Sequence, residues 1–183
     1  MQTVSNLQSL NINPNKGLLT AGESAGADIA LAIAHLWTEA KASPPITGIY
    51  SCANSAVNKE TVPLKYKENF VSFEQNAGAP MQTIEAYEFI QRNYKPDPRS
   101  HLAFPVAIPD PSIMPKTYFQ ACGWDIMRDC TLVMEQVWKD ASVPTRLNVY
   151  PGLPHAFWIL GLPIEQTRKF EADVVKGLKW LLS

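Results

Sequence analysis

The run "GLLTAGESAGADIALAIAH" (17–35) sets a serine between two glycines, where an apolar stretch gives way to a helical pattern. "GESAG" fits G-x-S-x-G, the signature of a sharp strand-to-helix turn that exposes a serine Oγ as a nucleophile. Such a turn is strained and brings its neighbours close, so side chains at positions 22 and 26 would clash. A chain of this length shows the pattern by chance about one time in twenty, so its context has to carry the argument. The competing reading is a turn in which the Ser24 hydroxyl only caps the helix. A nucleophilic serine needs a base, and there are three histidines. His35 lies eleven residues along the same helix, about 16 Å up its axis, and is expected to be a partly buried helix residue. His101 is expected on a surface loop. His155, in "YPGLPHAFW", follows a strand at its C-terminal end, where a parallel sheet gathers reacting groups. Its competing reading is a solvated loop residue. Asp125 in "ACGWDIMRD" follows another strand and could hold the imidazole tautomer. Asp129 is its rival, expected to cap the next helix.

These groups can meet only if the elements between them deliver them to one place. Four apolar runs read as strands: "GLLTAG" (17–22), "ITGIYSC" (46–52), "KTYFQACG" (116–123) and "TRLNVYPG" (145–152). Their nearly continuous apolar character predicts strands covered on both faces. Helical stripes alternate with them: Ile29, Ile33, Leu36 and Ala40; Met81, Ile84 and Tyr87; Leu132, Val133, Val137 and Trp138; Phe170, Val174, Leu178 and Leu181. The alternation predicts parallel βαβ units. Gly78 marks a turn before a helix starting near Pro80, and six prolines between 96 and 115 make a stiff, irregular connection. Val4, Leu7 and Leu10 read as the tail of a helix ended by Asn13 and Pro14.

The chain has 183 residues, 46% of them apolar and 18% charged, the composition of one globular domain. A net charge of -1 leaves no electrostatic footprint for nucleic acid or an anionic membrane, so a small molecule is the expected partner. Three cysteines without a C-x-x-C pair suggest neither a disulfide framework nor a zinc site. With no apolar run near 18 residues and no leader pattern at Met1, the expectation is a cytoplasmic protein without a membrane span.

"GESAG", "GWDIMRD" and "PGLPHAF", in that order, resemble the three motif segments of the hormone-sensitive-lipase-like branch of the α/β-hydrolases, the alpha/beta hydrolase fold-3 esterases. The likeness runs from about residue 17 onward. It implies a partial α/β-hydrolase fold of about four parallel strands with flanking helices, lacking the N-terminal half of the sheet. Residues 1–183 would form one such domain, with 53–115 as a cap or substrate-side insertion including the proline-rich connection. It also implies Ser24 as nucleophile, Asp125 as orienting acid, His155 as general base and the Ala25 N–H as an oxyanion donor, acting on small carboxylic esters with no cofactor or metal. Phe157 and Trp158, beside His155, are candidates to line a substrate pocket. The family's H-G-G-G oxyanion loop has no counterpart, since no two glycines are adjacent and no histidine precedes a glycine. Little activity is therefore expected of this chain alone, and its first strand is expected to be an exposed edge through which copies could associate. A catalytically inactive remnant serving as a binding module, and a thioesterase or peptidase of the same fold, are the alternatives.

Overall fold

Four strands form where the apolar runs fall: β1 (Leu19–Glu23), β2 (Gly48–Cys52), β3 (Thr117–Trp124) and β4 (Thr145–Pro154). The computed structural model describes residues 5–7 and 9–183. The strands make one parallel sheet in the order β1-β2-β3-β4, so every C-terminal end lies along the same rim. Helix α1 (Ala25–Glu39) follows β1, and the short α2 (Ser72–Gln75) and α3 (Ile84–Tyr94) lie between β2 and β3. Helix α4 (Arg128–Asp140) follows β3, and α5 (Glu165–Leu181) follows β4.

Every residue of β2 and six of the eight in β3 are buried, as befits strands packed on both faces. On one face Ile49 and Phe119 meet Leu31 and Ala34 of α1 and Val133 and Trp138 of α4. The segment 53–115 adds Val57, Phe70, Phe73, Phe104 and Val106 to that same core. On the other face Tyr50, Tyr118 and Tyr150 pack with Phe170 and Leu181 of α5. A polar chain crosses this second layer. Tyr50 donates to Gln120 Oε1 at 2.6 Å, Gln120 Nε2 donates to Tyr150 at 2.6 Å, and Tyr150 donates to Asp173 at 3.2 Å. Each buried group is thereby partnered, and three strands and α5 are tied together.

Several local expectations change. Helix α1 turns Ala27, Ala30, Leu31 and Ala34 to the core, leaving Ile29 59% and Leu36 45% exposed. Alanines repeat with the same helical period as the larger residues, and their small side chains let α1 approach the sheet closely. Helix α3 begins at Ile84 rather than near Pro80, because Thr83 Oγ1 accepts the Ala86 N–H at 3.2 Å and caps it there. Met81 lies ahead of that helix, whereas Ile84 and Tyr87 reach the core. On α4, Val133 and Trp138 are buried together with Cys130 and Met134. Of the expected N-terminal helix tail, Val4 lies outside the described residues, and Leu7 and Leu10 fall in turns. Asn13 opens a 3-10 turn (Pro14–Lys16) instead of closing a helix, its side chain accepting the Asn15 N–H at 3.0 Å. Strand β1 is an edge strand, with no neighbour on its outer side among the described residues. Among these residues no helix is long and apolar enough to cross a membrane.

Gly177 sets the approach of α5 to the sheet, since a Cβ there would fall 2.1 Å from carbons of the buried Tyr118 ring. That ring is held by its hydroxyl, which donates to Asn148 at 2.9 Å. Gly177→Ala is therefore expected to lower stability by about 1–3 kcal/mol. Urea unfolding followed by circular dichroism measures this, and an unchanged midpoint would contradict it.

Candidate active site

The elbow at Ser24 begins with a close backbone approach. A Cβ on Gly22 would sit 2.0 Å from the Gly26 carbonyl oxygen and 2.6 Å from the Ala27 nitrogen, so only glycine fits. Gly26 differs from expectation: a Cβ there meets nothing within 4 Å, so the space at that position does not require glycine. Ser24 itself has φ 53 and ψ -128, a strained conformation for a residue with a side chain. Its N–H donates to the Cys52 carbonyl at 2.8 Å, and its own carbonyl accepts the Ala27 N–H at 2.9 Å. Its hydroxyl makes no cap bond to the helix. Ala25 follows as the first residue of α1, where an N–H has no intrahelical acceptor and the helix dipole favours negative charge.

Ser24, Asp125 and His155 come together at the rim. His155 Nε2 lies 3.0 Å from Ser24 Oγ, and its Nδ1 lies 2.7 Å from Asp125 Oδ2. A carboxylate oxygen at that distance accepts Nδ1–H, which leaves Nε2 free to accept the serine proton. Asp125 is 1% exposed and His155 7%. The other Asp125 oxygen, Oδ1, accepts the Met127 N–H at 2.9 Å.

An irregularity in the sheet makes this meeting geometrically available. Cys122 pairs with Tyr150, but Trp124 pairs with Pro154, so β4 inserts two residues more than β3 over that interval. The shift advances β4 so that the residue after Trp124 faces the residue after Pro154. Gly123 permits it, since a Cβ there would fall 2.7 Å from Pro151 Cα. Gly152 accommodates it with φ 71.

The acid loop is held from α2, a contribution that sequence reasoning missed. Asn76 Nδ2 donates to the Asp125 carbonyl at 2.8 Å, and Ser72 Oγ donates to the Ile126 carbonyl at 2.7 Å. Asp129 Oδ2 accepts the Val71 and Ser72 N–H groups at 2.8 and 2.7 Å, while Oδ1 accepts Arg128 Nε at 2.7 Å. Asp129 thus caps a distant helix rather than its own, and links it to the loop carrying Asp125.

Asp28, one turn into α1, performs a related task beside the elbow. Its carboxylate accepts the backbone N–H of Ser55 at 3.0 Å and the Ser55 hydroxyl, fixing the loop after β2. Burial pushes this carboxyl up to about 7, against the opposing effect of the two hydrogen bonds.

The remaining candidates are placed differently. Phe157 is 2% exposed, its ring packed 5.6 Å from Tyr150 and 5.5 Å from Phe170. Trp158 is half-buried and stacks on Phe170 at 4.4 Å. His35 is fully buried and His101 partly so, and their rings pack together edge-on at 4.8 Å. A cavity of about 590 Å³ lies between α2 and α3, floored by Phe73, Ile84 and Tyr87. Among the described residues no three His, Cys, Asp or Glu side chains gather to hold a metal ion.

Residues 2–159 match the family described as alpha/beta hydrolase fold. An AB hydrolase superfamily protein of Schizosaccharomyces pombe is 32% identical over 180 residues, covering 98% of this chain and 53% of that protein. A versiconal hemiacetal acetate esterase of Dothistroma septosporum is 33% identical over 181 residues, covering 97% of this chain and 55% of that one. The chain thus spans about half the length of the curated relatives it matches. Among solved structures, vibralactone cyclase superposes with a TM-score of 0.92 at 32% identity, covering 98% of this chain and 53% of its own. An esterase of Rhizomucor miehei superposes with a TM-score of 0.83 at 22% identity, covering 99% and 56%, a likeness of fold.

Two stability measurements test the elbow and its neighbour. Glycine accommodates the Ser24 dihedrals where alanine does not, so Ser24→Gly is expected to exceed Ser24→Ala in stability by about 1 kcal/mol. Equal unfolding midpoints would show that the conformation carries no strain. Because the folded state raises the Asp28 pKa to about 7, it binds more protons than the unfolded chain between about pH 4 and 7. The Asp28 contribution to stability therefore falls as pH rises through that window. In Asp28→Asn this component is absent, so the variant is expected to gain on the wild type from pH 4 to 7, in unfolding curves at matched pH. A constant difference would mean that Asp28 does not titrate there.

Proposed function

The chain belongs to the alpha/beta hydrolase fold family, in its fold-3 branch, and from that premise we propose that it is a carboxylic ester hydrolase working through an acyl-enzyme. The reading rests above all on the hydrogen-bonded series from Asp125 through His155 to Ser24, at 2.7 and 3.0 Å. In the proposed mechanism His155 Nε2 takes the Ser24 proton as Oγ attacks the ester carbonyl, and Asp125 stabilises the imidazolium. The N–H of Ala25, at the start of α1, donates to the developing oxyanion. His155 then returns the proton to the leaving alcohol, and water, activated the same way, releases the acid and restores Ser24. No metal or organic cofactor enters these steps.

The names of relatives suggest what to try first. An acetate ester is the natural first substrate, given the versiconal hemiacetal acetate esterase at 33% identity. Vibralactone cyclase favours a second fate for the same acyl-enzyme, in which a hydroxyl of the acyl group replaces water and a lactone leaves Ser24. Turnover by this chain alone is proposed to be slow. Ala25 supplies one oxyanion donor, and each donor lacking costs about a hundredfold to a thousandfold.

Labelling with a fluorophosphonate probe tests the nucleophile without requiring turnover. The wild type is expected to label at Ser24, Ser24→Ala not at all, and His155→Ala at least about a hundredfold more slowly. Equal labelling of wild type and Ser24→Ala, or of neither, would overturn the proposal. Mass spectrometry of products from a hydroxyacyl ester distinguishes acid from lactone.

A further inference from the structure

Strands β1 and β4 stand at opposite edges of the sheet, with two strands between them, so at the usual spacing they run about 14 Å apart. Ser24 follows β1 and His155 follows β4, yet Oγ and Nε2 are 3.0 Å apart. If only the strand pairings fixed that distance, errors in three interstrand contacts and two loops would accumulate in it. One side-chain contact closes the span directly. The indole Nε1 of Trp158 donates to Glu23 Oε2 at 3.0 Å, joining the residue just before the serine to one three positions after the histidine.

Both partners are prepared for this contact. Glu23 ends β1 and pairs with Cys52, whose carbonyl accepts the Ser24 N–H. The Trp158 ring is stacked on Phe170 of α5 at 4.4 Å with an interplanar angle of 5°, and Phe157 meets it edge-on at 5.4 Å. Held by those two rings, the indole directs its N–H to one side. Trp158 lies in a 3-10 turn (Phe157–Leu160) that begins from Ala156 in the left-handed region, φ 54, immediately after His155. Only two residues of this tight turn separate the indole from the imidazole along the chain.

We propose that Glu23 and Trp158 form a clamp that sets the distance between Ser24 and His155, with both residues acting as positioning groups. This rests on the reading of Ser24 and His155 as nucleophile and base. The contact is solvent-exposed, so its contribution to global stability is small. Its effect falls on rate, because a misplacement of about 1 Å between reacting groups can cost a hundredfold.

The clamp is tested by fluorophosphonate labelling rates of the full chain. Trp158→Phe keeps an aromatic ring on Phe170 and removes the N–H, Glu23→Ala removes the acceptor, and Glu23→Gln keeps an accepting oxygen. Glu23→Ala and Trp158→Phe are each expected to slow labelling about 5–20-fold with melting temperatures unchanged. The double variant is expected to be no slower than the worse single one, and Glu23→Gln to stay within about twofold of wild type. Wild-type rates in both single variants, multiplicative losses in the double variant, or losses that track melting temperature would each overturn the clamp. Should wild type itself fail to label, the esterase reading fails on that result. The clamp is then decided by amide exchange at Ile159, whose N–H donates to Ala156 at 3.0 Å, and by the His155 ring shifts. A change in both for Glu23→Ala sustains it, and no change in either overturns it.

Discussion

Strand β1 has to stop and α1 has to start within two residues, and the rest of the site depends on that reversal. It is possible because Gly22 carries no side chain where the Gly26 carbonyl passes. The cost appears in the next residue but one, where Ser24 is forced to φ 53. Such conformations cost about 1–3 kcal/mol each and persist only when surrounding contacts over-determine them. Here the surrounding contacts are the Ser24 N–H bond to Cys52, the α1 hydrogen bonds and the Asp28 grip on Ser55. Ala53 and Ala156, at the ends of β2 and β4, also hold positive φ. Three of the non-glycine positive-φ residues, Ser24, Ala53 and Ala156, thus follow strand ends along one rim, above a buried sheet whose packing and polar chain resist relaxation.

A second constraint is the register shift between β3 and β4. Without it, Asp125 would fall opposite Leu153, two residues short of His155, and the imidazole would lose the alignment with its carboxylate. The two extra residues of β4 correct the offset, and Gly123 and Gly152 make room for them. Helix α2 then fixes the acid loop from outside the sheet through Ser72, Asn76 and Asp129. The loop carrying Asp125 is consequently held by hydrogen bonds to groups 49 and 54 positions away in the chain.

This division explains what could be read from the amino acids. Strands β2 and β3 were legible because burial on both faces writes itself as a continuous apolar run, and the placing of Ser24, Asp125 and His155 after strands followed from that. The core face of α1 was not, because its alanines carry the same periodicity as Ile29 and Leu36 but a weaker hydrophobic signal. Capping is a local rule and points Asp129 to its own helix, whereas its partners Val71 and Ser72 lie 58 and 57 residues away. The Trp158 bond to Glu23 spans 135 residues and leaves no pattern in either segment. Gly22 and Gly26 are alike in the motif and unlike in space, since only one of them meets the backbone.

Proton transfer and charge stabilisation make different demands on a chain of this extent. The proposed proton route runs through Ser24, His155 and Asp125, all hydrogen-bonded within the described residues. Oxyanion stabilisation needs several N–H groups aimed at one point, and the Ala25 N–H, at one helix terminus, is the one donor proposed. In the proposed reading the two functions separate experimentally: nucleophile activation would report the elbow, the register shift and the acid loop, whereas turnover would report how fully the oxyanion is surrounded. The strain at Ser24 lies on the first side of that division. Its cost is met by contacts made before any substrate arrives, which is what preorganisation requires.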